Sequence, residues 1–300
     1  MTEGKKRRNN IHTGIDRIST GIGSLYGEKV RFFREGIESP RLIEIPAALE
    51  MDFSGFTEEG EYRIPVRFGR LEGTARYFLI HRAGPHKPSL IFHHGSGETN
   101  YTSRIRRILP EPFLSRINLI ALSIPWNRNM KEYVYGIGSL ERFAFLLASS
   151  VMLMEFLGRR LREMGSGKLV ASGISLGGWI TNLHYSIYGS LDEYRPIFAG
   201  AALDHLFTDT VYRSMISREA GAHPEVLRRV LNFEDLFRLR DPRRVFPLLA
   251  RYDQYIKLER QRGIYLEEQI SILEKGHITG AMDRNALREH LLHGLEQDHA

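Results

Sequence analysis

The sequence predicts an α/β fold: a mostly parallel sheet covered by helices on both faces. Three observations point to it. From about residue 89 onward, short apolar runs alternate with longer helix-periodic stretches, the pattern of strands joined by crossover helices. An alternating hairpin precedes them and implies an antiparallel edge. The chain has 300 residues, 42% hydrophobic and 26% charged. That is enough apolar material for one large domain or two small ones.

In chain order, residues 1–60 show no strong periodicity and are expected to form a partly irregular extension. A short helix is expected around 29–34 and an edge strand at 41–45. Residues 62–68 alternate as a half-buried strand should, and 74–80 form the returning arm beyond Gly73. Apolar runs at 89–93 and 117–124 read as buried strands, with a helix at 103–109 between them. Ser139 is placed to cap a long helix reaching about residue 163, with Glu141 in its first turn. Further strands are expected at 168–173, 196–203, 245–250 and 269–273, and further helices at 176–188 and 282–295. Residues 205–243 are charged, aromatic and helix-prone, without a strand signal.

The chain contains no cysteine, which excludes disulfides, thiolate metal sites and cysteine nucleophiles. A reducing, cytoplasmic setting is the expectation. Net charge is +6. Part of it is the run Lys5-Lys6-Arg7-Arg8, read as a solvated tail. No basic stripe interleaves with aromatics, so no nucleic-acid partner is expected. The longest uncharged apolar run, 143–154, falls short of the roughly 20 residues a membrane span requires, and no secretory signal is recognisable. Gly165-Ser166-Gly167-Lys168 lacks the glycine spacing of a phosphate loop, because Arg162 stands where the first glycine belongs.

Gly173-Ile174-Ser175-Leu176-Gly177 matches G-x-S-x-G between an apolar strand and a helix. A sharp turn there points the Ser175 hydroxyl out of the sheet, and side chains at 173 or 177 would collide. The Leu176 amide, at the start of the helix, lacks an intrahelical partner and can donate to an oxyanion. His94-Gly95-Ser96-Gly97 follows an earlier strand, where a flexible backbone can aim a second amide, that of Ser96, at the same oxyanion. His93 and His94 are not expected to hold a metal, since neighbouring strand residues point to opposite faces. Asp253 and His277 each sit just past a strand. A carboxylate there can fix the imidazole tautomer. Nucleophile, acid and base thus occur in the order Ser175, Asp253, His277, each at a strand C-terminal end, where open parallel sheets bind ligands.

On His94–Gly97, Gly173–Gly178, Ala250–Asp253 and Lys275–His277, the stretch 61–300 resembles the α/β-hydrolase superfamily. The resemblance implies an eight-stranded, mostly parallel sheet with its second strand antiparallel, and an oxyanion loop after the third strand. It also implies the acid after the seventh strand, the base after the eighth, and a helical insertion at 205–243, where many members carry a lid. Residues 1–60 depart from the usual fold. Asp204 is the alternative acid, a position some members use. In the insertion, Phe207, Tyr212, Met215, Phe233, Leu236 and Phe237 are candidate pocket residues; the alternative is an excursion packed on its own helices.

The expected activity is therefore a serine hydrolase of the carboxylesterase type on a small-molecule acyl substrate, a chemistry needing no cofactor and no metal. The same apparatus also serves an acyltransferase, thioesterase or peptidase, and a non-catalytic binding protein on this fold is the remaining alternative.

Overall fold

The computed structural model describes residues 11–25, 28–53 and 55–295; the run Lys5–Arg8 lies outside them. Among these residues the strands form one nine-stranded sheet. They are β1 (Glu50–Met51), β2 (Gly60–Phe68), β3 (Leu71–His81), β4 (Ser89–His93), β5 (Asn118–Ser123), β6 (Leu169–Ile174), β7 (Glu193–Ile197), β8 (Leu248–Ala250) and β9 (Ser271–Leu273). Their spatial order is β1-β2-β3-β5-β4-β6-β7-β8-β9. β1, β2 and β3 pair antiparallel, β3 pairs antiparallel with β5, and the rest are parallel.

The ninth strand, against eight expected, is β1. Two residues extend the antiparallel edge by pairing Glu50 with Arg67 and Met51 with Val66. Every residue of β4, β5, β6 and β7 is buried, as for parallel strands covered on both faces. The chain leaves β4 towards β5 on one side, while β6 lies on the other. The C-terminal ends of β4 and β6 therefore border a switch point, where a crevice must open.

The long helix runs Leu140–Glu163 and is capped by Ser139, whose Oγ accepts from the Arg142 amide at 3.2 Å. Its buried hydroxyls find acceptors within the helix: Ser149 and Ser150 donate to the carbonyls of Phe145 and Leu146, which is how hydroxyls persist inside an apolar helix. No single helix among the described residues is long and apolar enough to cross a membrane.

Several expected elements differ. Residues 41–45 are a turn leading into a 3-10 helix at Ile45–Ala48, not an edge strand. Pro46 at its start favours that turn, and Leu42 and Ile45 are buried. The expected helix at 29–34 is a short 3-10 turn at Glu28–Val30. Beyond it Phe32 bridges to Ile216, and Phe33 adopts φ 59, incompatible with a helix. The strand expected at 196–203 lies earlier, at Glu193–Ile197, because Phe198 turns with φ 50. The first helix, Ile11–Leu25, was not anticipated.

The helices of 205–243 include Asp204–Thr208, Pro224–Leu231 and Glu234–Arg238. Phe32 ties this region down: its amide donates to Met215 and its carbonyl accepts from Ser217, both at 2.9 Å. Phe32 and Phe33 also pack on Phe207, with ring centroids 5.3 and 5.0 Å away.

Replacing Ser139 with alanine removes the cap of the long helix and is expected to cost about 1 kcal/mol, read as a lower midpoint in urea unfolding with an unchanged slope.

Candidate active site

Ser175 sits between β6 and the helix Leu176–Ile187, with φ 55 and ψ −112. A serine there is strained by about 1–3 kcal/mol and persists only if its surroundings hold it. They do: its amide donates to the Ile197 carbonyl at 2.8 Å, and its carbonyl accepts from the Trp179 amide at 3.0 Å. The flanking glycines are steric requirements. A Cβ at Gly173 would overlap the Gly177 carbonyl group and lie 2.8 Å from Gly177 Cα. A Cβ at Gly177 would overlap the His93 carbonyl oxygen and lie 2.8 Å from the His94 carbonyl oxygen.

Three of the residues anticipated from the sequence converge. His277 Nε2 is 3.0 Å from Ser175 Oγ, and His277 Nδ1 donates to Asp253 Oδ2 at 2.7 Å. The other oxygen, Asp253 Oδ1, accepts the amides of Tyr255 and Ile256, both at 2.7 Å. The carboxylate is thereby locked in orientation. Asp204, the alternative acid, is engaged elsewhere, accepting from Asn232 Nδ2 at 2.8 Å.

The loop after β4 faces Ser175, and Gly95, Ser96, Gly97 and Leu176 line the same cavity. Within the loop the Glu98 and Thr99 amides turn back to the carbonyls of Gly95 and Gly97, and Gly97 has φ 73. The Ser96 hydroxyl hydrogen-bonds to Tyr133. His93 and His94 lie under this loop with their rings stacked, centroids 4.7 Å apart. They do not diverge as strand neighbours would, because β4 ends at His93. His94 Nδ1 donates to the Gly95 carbonyl at 2.6 Å, and its Nε2 accepts from Asn127 at 3.3 Å. His93 Nε2 meets Ser150 Oγ at 3.1 Å. Among the described residues, no group of three or more candidate ligands is placed to hold a metal ion.

Burial and charge set the protonation of these histidines. Burial brings His94 down to about 4 and His93 well below imidazole's ordinary value. Burial is also the largest influence on His277 and also disfavours its charged form. There the Asp253 charge and hydrogen bond, with the Asp16 charge behind them, outweigh it, and the net shift is upward.

The cavity above Ser175 measures about 520 Å³. Its walls are largely apolar, with Phe32, Phe143, Leu203, Leu206, Phe207 and Met215 among them. Of the six insertion residues singled out in the sequence, Phe207, Tyr212 and Met215 line it. Phe233 packs against Trp179 instead, and Phe237 lies between Tyr185 and Tyr265. Ser19 and Thr20 also contribute, from the helix Ile11–Leu25, as does Tyr255, whose ring lies 4.8 Å from that of His277. None of these three, nor the buried Asp16, was found from the sequence. The only available signal was the position of Tyr255, two residues beyond Asp253.

No protein-family model matches the chain, and a search of curated proteins matches none. Solved structures do. The fold is similar to that of acylaminoacyl peptidase from Pyrococcus horikoshii, with a TM-score of 0.52 and 17% identity over 80% of this chain and 42% of that one. The present chain thus spans about two fifths of the peptidase's length. It is also similar to a Xanthomonas campestris α/β serine hydrolase without a lid, with a TM-score of 0.50 and 13% identity over 81% of this chain and 97% of that one. The chain has the α/β-hydrolase fold.

A Gly177→Ala variant drives a methyl group into the β4 carbonyls. Its folded state is expected to lose at least about 3 kcal/mol, measured as a lower thermal midpoint.

Proposed function

We propose that this protein is a serine hydrolase that cleaves an acyl ester through an acyl-enzyme at Ser175. The observation that carries the reading is the continuous path from Asp253 Oδ2 through the His277 ring to Ser175 Oγ, with steps of 2.7 and 3.0 Å. It opens into an apolar cavity sized for a small-molecule acyl group.

Ser175 Oγ attacks the acyl carbon while its proton passes to His277 Nε2. Asp253 holds the Nδ1–H tautomer and balances the imidazolium. The amides of Leu176 and Ser96 donate to the oxyanion of the tetrahedral intermediate. Collapse breaks the bond to the leaving alcohol, which takes the proton from His277. Water, deprotonated by His277, then attacks the acyl-enzyme and releases the acid and free Ser175. The same steps serve an alcohol, thiol or amine acceptor, so acyl transfer, thioester cleavage and peptide cleavage are separated by product analysis with competing acceptors. An activity like that named for the Pyrococcus neighbour falls among these.

A fluorophosphonate probe should modify the wild type at Ser175 and leave Ser175→Ala unlabelled; equal labelling of the two removes the proposal. Ester hydrolysis by Ser175→Ala should fall roughly 10⁴–10⁶-fold in kcat, and by Asp253→Asn roughly 10⁴-fold.

The pH dependence follows from the upward shift of His277. The base must be neutral, so kcat/KM falls as pH drops through its pKa. The acid limb of the profile is expected to lie above imidazole's ordinary 6.5, as read from kcat/KM against pH.

A further inference from the structure

The helix Ile11–Leu25 places a carboxylate directly beneath the proposed triad. Asp16 is fully buried. Its Oδ2 accepts the His277 amide at 2.9 Å and the Gln254 amide at 3.2 Å, and its Oδ1 accepts the Ile278 amide at 3.0 Å. Gln254 follows Asp253, and Ile278 follows His277. One side chain therefore bonds the backbone of both the acid loop and the base loop. The two loops also meet where the Tyr252 amide donates to the Lys275 carbonyl at 3.0 Å and where His277 meets Asp253; Asp16 adds a third tie, beyond those two.

The helix is itself anchored there. The Asp16 carbonyl accepts from Tyr255 and Thr20 hydroxyls, both at 3.0 Å, and His12 Nδ1 pairs with Thr279 Oγ1 at 2.9 Å. The approach is close enough to require a glycine next to the base: a Cβ at Gly276 would lie 2.9 Å from Asp16 Oδ2 and 3.0 Å from the His12 carbonyl oxygen.

Burying a carboxylate is costly unless it is fully hydrogen-bonded. Here burial raises the Asp16 pKa, three backbone amides oppose that rise, and the neighbouring Asp253 charge adds to it. Two carboxylates near one imidazole are an electrostatic expense that simple packing of the helix would not require.

On the reading of Ser175, Asp253 and His277 given above, we propose that Asp16 is a positioning residue: it clamps the Asp253 loop to the His277 loop and holds the imidazole in line with Ser175. It touches no reacting atom and acts through the backbone of its two neighbours. The helix Ile11–Leu25 is then part of the catalytic apparatus and not an appendage to it.

The charged and titratable groups facing His277 are Asp253, Asp16, Arg104 and Tyr255. Asp253 and Asp16 favour the imidazolium, and Arg104 opposes it. Removing the Asp16 charge must therefore lower the His277 pKa, a consequence that helix packing alone lacks.

The test is the rate at which a fluorophosphonate labels the full chain, followed from about pH 5 to about pH 9, with circular dichroism as the check on folding. In Asp16→Asn the amide NH₂ confronts backbone N–H groups. Labelling is expected to slow roughly 10–100-fold, the scale of a misplacement near 1 Å, and the acid limb is expected to move to lower pH. A folded variant with its acid limb unmoved overturns the proposal, whatever its rate. If Asp16→Asn does not fold, Gly276→Ala replaces it. Its backbone (φ −89) accepts alanine, and the methyl group wedges Asp16 away from the loop while leaving its charge, so here the rate decides: slower labelling by a folded variant is expected, and an unchanged rate overturns the proposal. A wild type that is not labelled at Ser175 overturns the hydrolase reading and this inference together. A labelled wild type with an indifferent Asp16→Asn overturns this inference alone.

Discussion

The sheet edge that carries Ser175 depends on one close approach. The helix that follows Ser175 passes so near the end of β4 that a hydrogen is all that fits at residue 177. Gly178 faces the same constraint from the other side, where a Cβ would come within 2.7 Å of Ala199 Cβ and of the Ile197 carbonyl oxygen. Because helix and strand ends are pressed together, the chain between them must reverse within very few residues. Ser175 takes the strained conformation that results. Backbone hydrogen bonds to β7 and to the following helix turn stabilise it. The strain and the exposure of the hydroxyl are two results of the same packing.

A second constraint is the depth of burial beneath that edge. Three histidines lie within it, and burial disfavours the charged form of all three. His93 and His94 stay neutral and use their nitrogens to brace the loop after β4 against Ser150, Asn127 and the Gly95 carbonyl. His277 goes the opposite way because carboxylates face it. The environment thus separates these imidazoles by the charges around them: Asp253 and Asp16 favour the charged form of His277, whereas Arg76 and Arg104 press His94 further down. The difference does not lie in the strand ends on which they sit.

The cavity draws its walls from the whole chain: the helix Ile11–Leu25, the Phe32 segment, the loop after β4, the long helix, the insertion and the loops after β8 and β9. Aromatic contacts bind Phe32, Phe33, Phe143, Phe207 and Tyr212 into one patch. The insertion is thereby seated on residues that precede the sheet. The fold itself leaves the choice of substrate open.

The sequence by itself determined what depends on near neighbours. Alternating apolar runs and helical stretches defined the parallel sheet, a serine between two glycines marked the sharp turn, and Asp253 and His277 stood out by following strands. Element limits failed where a single residue reversed the backbone, the strand at Phe198 and the helix at Phe33, because φ at one position leaves no periodic trace. Asp16 shows what only the tertiary structure decided. In the first helix Ile11, Ile15 and Ile18 share a face by their spacing, so pattern alone turns Asp16 towards water. Yet Ile11 and Ile18 are 73% and 64% exposed while Asp16 is buried, because three backbone amides lie 238 to 262 residues further along the chain. A helix orients by the free energy of what it meets, and partners so distant in sequence are brought together only by the finished sheet.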